Sequence, residues 1–192
     1  MNYLYGKITP GTSACRVNTL QGVENDYELH KGISRIDDWP LEAFFEMNNN
    51  FPDNVMLEDF VFNINNVLVV SERVLTIFLP QHLKNNEMLP IKIKNHKGRI
   101  VKEQYYILHQ LVLQDCIDIE RSIVRINKIN PERFSSVKKL VIKEDQIDPE
   151  VFIFRMNRFP SLPIFKRDIA EKIKQNKFSG IQFGEISDWE GM

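Results

Sequence analysis

Residues 105–113 read YYILHQLVL, a run that is apolar on both of the faces an extended chain presents. Side chains alternate across a strand, so this run is expected in the middle of a sheet covered on both sides. Just upstream, LPIKIK at 89–94 alternates, with Ile91 and Ile93 on one face and Lys92 and Lys94 on the other, the pattern of a half-buried strand. NHKG at 95–98 supplies a turn between the two. VKKLVIK at 137–143 and VFIFR at 151–155 read as two more strands, separated by the polar EDQIDPE.

Helical signals surround this sheet. In IDDWPLEAFFEM at 36–47, Asp38 is placed to cap, Pro40 fits the first turn, and Leu41, Phe44 and Phe45 share a face. VLVV at 67–70 predicts a strand that feeds a helix capped by Ser71, with Val74, Leu75, Phe78 and Leu79 as its core stripe. Pro80 ends or kinks that helix. Residues 162–183 predict an extended piece, a helix burying Ile169, Ala170 and Ile173, and a strand. Residues 1–36 read as short strands and turns. The expected fold is α+β, a mostly antiparallel sheet flanked by three to four helices, in a single domain over 1–192 whose first 60 residues are less regular.

The totals exclude several classes. With 192 residues and 43% apolar content, the chain has enough core to fold without disulfides or metal. Its 2 cysteines, Cys15 and Cys116, give no disulfide framework and no zinc-type spacing. No unbroken apolar run exceeds four residues, too short to span a membrane. The opening MNYLYGKITPG has neither a basic leader nor an apolar stretch, so a cytoplasmic location is the default. Residues 1–60 hold 4 Lys and Arg against 10 Asp and Glu, whereas the rest holds 21 against 16. An acidic end of this kind either steers a basic partner or is scattered solvated charge.

Chemistry-bearing residues are few. QDCIDIERS at 114–122 places Cys116, Asp118 and Glu120 on one face if extended, and Asp115, Asp118 and Glu120 are the candidates for a metal-dependent hydrolase. Glu120 is followed by Arg121 and Ser122 rather than by the lysine a Glu-x-Lys nuclease pattern requires, so a strand end is the better reading. His109 reads as a core histidine, and His30, His82 and His96 suggest no ligand set. There is no nucleophile elbow and no phosphate-binding glycine loop. Lys92, Lys94, Lys97, Arg99 and Lys102, followed by Tyr105 and Tyr106, sketch a single-strand nucleic-acid site over 92–106. The pI of about 6.4 argues instead for a hairpin charged for solubility. No catalytic residue, metal or cofactor is expected.

The order of LVVSERV (68–74), LPIKIKNHKGRIVKEQYYILHQL (89–111), DCIDIERS (115–122), VFIFR (151–155) and FSGIQF (178–183), with IDDWP (36–40) and DFVF (59–62) as weaker matches, resembles a family of immunity proteins. These belong to bacterial polymorphic-toxin systems; the family was first catalogued as a domain of unknown function and is named after a Myxococcus-type member. The resemblance spans roughly 33–183 and implies a small protein that binds and neutralises a cognate toxin encoded nearby, with no reaction or cofactor of its own. It marks Ser71, Tyr105, Tyr106, Asp115, Asp118, Glu120, Ser122 and Gly180 as a structural signature. Nucleic acid and membrane are not expected partners. If the toxin is basic, the acidic end is the contact surface, with Asp37, Asp38, Glu42 and Glu46 supplying charge and Trp39 an anchor. Trp39 reads equally as core, with the acids capping a helix.

Overall fold

The computed structural model describes residues 2–78 and 80–191. The chain is built from β1 (Tyr3–Ile8), β2 (Arg16–Val17), β3 (Phe44–Glu46), β4 (Phe60–Asn63), β5 (Val69–Ser71), α1 (Glu72–Leu75), β6 (Asn86–Lys94), β7 (Tyr105–Gln110), β8 (Leu113–Gln114), β9 (Ile123–Ile126), β10 (Phe134–Lys139), β11 (Ile153–Met156), β12 (Phe159–Lys166), α2 (Arg167–Gln175) and β13 (Ile181–Glu185). The strands form a six-stranded sheet of order β2-β4-β5-β7-β6-β3, a five-stranded sheet of order β13-β1-β12-β11-β8, and a ribbon of β9 and β10. Pairing is antiparallel except at β2–β4, β3–β6 and β8–β11.

Three apolar clusters follow from strand alternation. In β7, Tyr105 and Ile107 point into a cluster with Val69, Leu89, Ile91, Ile93, Phe45 and Trp39. Leu108, on the opposite face, joins Leu4, Phe60, Val70, Ile153, Phe165 and the α2 residues Ile169, Ala170 and Ile173. That second cluster draws on both large sheets and is their shared core. The outer face of the five-stranded sheet forms the third, where Phe154, Met156 and Ile164 pack against Phe134 and Val137 of the ribbon and against Trp189. The central-strand expectation for YYILHQLVL therefore holds for 105–110, with β5 and β6 paired on either side.

The α+β expectation is corrected. Among the described residues there are 13 strands and only 2 α-helices, so the fold is mainly β. Residues 36–47 form turns and the strand β3, not a helix. Their pattern was open to two periods, and the strand period won: Ala43, Phe45 and Met47 are buried at alternate positions, while Leu41 is 77% exposed. Parallel pairing of Phe44 with Lys92 and Phe45 with Ile93 fixes the strand, a contact no local pattern announces. The helix after Ser71 is a single turn. Ser71 occupies the cap position without capping, because its hydroxyl donates to Asp59 Oδ1 at 2.7 Å. Val74 and Phe78 are buried as expected; Leu79 lies outside the described residues. A 3₁₀ turn at Pro80–Leu83 then replaces any continuation. The C-terminal reading holds, with β12, α2 and β13 in that order and the predicted stripe of α2 buried.

Candidate functional site

The acidic end is organised around Arg35, which is only 6% exposed. Its Nε donates to Asp38 Oδ1 at 3.1 Å and its Nη1 to Glu28 Oε2 at 3.3 Å and to the Glu24 carbonyl at 3.0 Å. Its guanidinium is thus paired with two carboxylates, and its backbone N–H donates to a third, Glu87 Oε2, at 3.0 Å. The chain then turns at Pro40–Ala43, where the Ala43 N–H donates to the Pro40 carbonyl at 3.0 Å. Leu41 and Glu42 are the two central residues of that turn, which is why both stand out from the surface.

Of the five residues expected at a contact surface, Asp37, Asp38, Glu42 and Glu46 are exposed and Trp39 is not. Trp39 is core at 8% exposure, and its indole N–H donates to the Pro90 carbonyl at 2.8 Å. Glu42 pairs with Lys92 at 2.8 Å and Glu46 reaches Lys94 at 3.9 Å, while Lys94 also lies over the Phe44 ring at 3.3 Å. The apolar residues beside these acids are Ile33, Ile36 and Leu41. Sequence reasoning assigned Leu41 to a helix core; the signal that places it outside is the Trp-Pro-Leu-Glu turn.

The basic hairpin does not form a stacking platform. Lys92 and Lys94 are engaged by Glu42 and Glu46. Tyr105 points inward at 2% exposure, and its hydroxyl donates to the Glu58 carbonyl at 3.0 Å. The intervening turn is held by Asn95, whose Oδ1 accepts from the N–H groups of Lys97 at 2.9 Å and Arg99 at 3.1 Å.

QDCIDIERS is an extended segment ending in a turn. Its backbone pairs with residues 141–143: Asp118 N–H donates to the Val141 carbonyl and Lys143 N–H to the Cys116 carbonyl, at 2.9 and 2.8 Å. Asp118 Oδ1 accepts from the Arg121 N–H at 3.2 Å, and Ser122 Oγ accepts from the Val141 N–H at 2.9 Å. Asp118 is buried while Asp115 and Glu120 are exposed. Among the described residues no group of three or more His, Cys, Asp or Glu side chains converges as a metal site would require. Burial pushes the Cys116 thiol up to about 12 and the Cys15 thiol up to about 11, so both stay protonated and poorly nucleophilic at neutral pH.

A second polar node joins three separate stretches. Asp59, before β4, accepts from the Ser71 hydroxyl at 2.7 Å and from the Ser179 N–H at 3.1 Å, and the Phe60 N–H donates to the Ser179 carbonyl at 3.0 Å. Gly180 lies here with φ of 86°, and a Cβ would come within 2.1 Å of the Phe60 carbonyl oxygen. Only glycine fits that approach. DFVF, LVVSERV and FSGIQF thus meet at one place, around a carboxylate that is 8% exposed.

The histidines are dispersed. His109 Nε2 donates to the Ile33 carbonyl at 2.8 Å and His30 Nε2 to the Asn65 carbonyl at 2.8 Å. His82 packs on the Phe152 ring, and His96 sits beside Asn49 and Asn54. Burial lowers the pKa values of His109, His30 and His82, which favours neutral rings that hold structure. No helix among the described residues is long and apolar enough to cross a membrane.

No curated protein matches this chain. The model of the immunity protein family (Imm11) matches residues 14–188, from the segment just before β2 to the 3₁₀ turn that follows β13. The match takes in the six-stranded sheet, every strand of the five-stranded sheet except β1, the ribbon and the polar node, and on its extent the chain belongs to the Imm11 immunity protein family.

Proposed function

We propose that the protein protects a bacterial cell by binding a cognate toxin in the cytoplasm and occluding its active site, without catalysis of its own. The toxin is encoded beside the immunity gene. The contact surface is the acidic turn face, Asp37, Asp38, Glu42 and Glu46, with Leu41 as the apolar anchor and Trp39 as a core residue of the same segment. The observation that carries this placement is the exposure of Leu41, 77% on a turn tip flanked by carboxylates. An apolar side chain held out among charged ones is the composition of an interface centre with a polar rim. A standard interface of about 1,600 Å² built on such an anchor accommodates tight binding.

The test is association kinetics with the toxin domain encoded next to the gene, alongside survival of a sensitive host expressing both. Reversing Asp37 and Asp38 to Lys is expected to slow association about ten-fold at low salt and to flatten its salt dependence, since rim charges act on encounter rates. Leu41→Ala is expected to speed dissociation. Unchanged kinetics in both variants, with protection retained, would remove this surface from the mechanism.

A further inference from the structure

Arg155 extends from β11 into the space between the two large sheets and is 2% exposed. Its three nitrogens donate to neutral oxygens only: Nε to Gln110 Oε1 at 2.9 Å, Nη2 to the Asn66 carbonyl at 2.8 Å, and Nη1 to the Pro160 carbonyl. A guanidinium carries five N–H groups, so three bonds leave one hydrogen on each terminal nitrogen uncommitted. None of the ion pairs among the described residues includes Arg155. Arg35, almost as deeply buried, has its guanidinium paired with the carboxylates of Glu28 and Asp38. Burial alone pushes the Arg155 pKa down to about 10, which still leaves it charged at neutral pH. A buried ion without a counter-charge costs several kcal/mol even after relaxation.

Beside it lies a cavity of about 150 Å³. Its lining includes the polar side chains of Arg155, Lys7 and Ser161 and the apolar ones of Phe62, Leu68 and Leu162. No acidic residue lines it. The amides of Asn63 and Asn66, which also face it, already donate to the carbonyls of Val61, Val67 and Ser161. Lys7 is exposed and stands at the rim. The available recognition groups are therefore two cations, a hydroxyl and the second amide hydrogen of Asn66, in a lining that also holds apolar side chains.

We propose that this cavity binds a small organic carboxylate, its charged head against Arg155 and Lys7 and its hydrocarbon body against Phe62, Leu68 and Leu162. A guanidinium presents paired donors that match a carboxylate, and a cavity of this size holds a guest of roughly four to six carbons. The head supplies the missing counter-charge, and the body fills apolar volume that would otherwise lack contacts. The site uses none of the residues assigned to the toxin surface, so it stands or falls independently of that reading.

The test uses the full-length protein at pH 7 and fixed ionic strength, with butyrate, acetate and chloride as probes in thermal unfolding and titration calorimetry. Butyrate at about 100 times its dissociation constant is expected to raise the Tm by roughly 5 °C, and acetate by less. Lys7→Gln is expected to weaken butyrate binding about ten-fold, as loss of one charge-assisted hydrogen bond does, and Arg155→Gln to abolish it. Should Arg155→Gln fail to fold, Ser161→Leu, which fills the cavity, takes its place and is expected to block binding. Butyrate no better than chloride would overturn the proposal, as would equal butyrate binding by the native chain, Lys7→Gln and Ser161→Leu.

Discussion

Trp39 and Trp189 close the outer faces of different sheets by the same means, each donating its indole N–H to a backbone carbonyl, of Pro90 at 2.8 Å and of Val137 at 2.7 Å. The covers they belong to are otherwise unlike. The six-stranded sheet is covered by an irregular stretch between β2 and β3, rich in acid and tied down through Arg35, His109 and turn hydrogen bonds. The five-stranded sheet is covered by a paired ribbon that is basic: residues 119–139 hold 6 Lys and Arg against 2 Asp and Glu. Covering a sheet requires apolar side chains in register with it and leaves the sign of the outward charge unconstrained. The molecule has used that freedom to carry two surfaces of opposite polarity.

The largest expected effect comes from the tryptophans themselves. Trp39→Ala and Trp189→Ala are each expected to cost about 3–5 kcal/mol in urea unfolding, the range for emptying a large aromatic site. If the two covers are equally integral, both transitions stay single and shift together. A shallow extra transition in Trp189→Ala alone would show that the ribbon and C-terminal turn unfold ahead of the rest.

Acid should separate the covers at a smaller cost. His109 and His30 both accept a role in holding the N-terminal cover, and burial is the main cause of their lowered pKa values. Arg155 and Arg35 lower His109 further, against Glu87, which raises it. A histidine whose folded pKa lies below its unfolded value of about 6.5 stabilises the fold fully above that pH, and the contribution is lost as pH falls towards the folded pKa. Residues 119–139 contain no histidine. Amide-exchange protection factors, each corrected for the intrinsic rate at its pH, should therefore fall first around 29–39 between pH 7.5 and 5.5 and leave the ribbon protected. Equal loosening of both would show that the histidines do not govern the difference. His109→Gln should reduce the acid sensitivity.

Legibility in the sequence followed the same division. β6 and α2 were readable because a single period of burial runs through each, as in Ile91 and Ile93 or Ile169, Ala170 and Ile173, and β7 and β11 because they are apolar and buried almost throughout. β3 was not, because Leu41, Phe44 and Phe45 fit a helical face while Ala43, Phe45 and Met47 fit a strand, and a partner 48 positions downstream in β6 decided between them. Ser71 was located correctly as the start of α1, yet its hydroxyl went to Asp59, a residue with no local relation to it. Arg155 closes the apolar phrase VFIFR, which reads only as a strand; its burial depends on Gln110, Asn66 and Pro160 meeting around it. The acidic exposure of 37–46 was legible, since exposed charge needs no partner to be specified, but the role of Trp39 depended on where Pro90 lay.

The smallest change expected in stability concerns the ribbon's outer strand. β9 has β10 on one side and no partner strand on the other among the described residues, and it exposes Ile123 and Ile126, followed by Ile129 at 95%. An apolar unpaired edge invites pairing with a second chain, and charged side chains along it are the usual deterrent. Arg121, Arg125 and Lys128, all exposed, are spaced among those isoleucines. Replacing Arg125 and Lys128 with Ala should leave folding stability within about 0.5 kcal/mol of the native chain while promoting self-association, measured by light scattering across a concentration series. The matching change on the acidic cover, Asp37 and Asp38 to Ala, should leave the protein monodisperse to the same extent as the native chain, because β3 is flanked by β6 on one side and by Gln21, whose backbone exchanges hydrogen bonds with Phe44, on the other. Self-association in the acidic variant but not in the ribbon variant would reverse the assignment of which cover depends on its charge to stay apart.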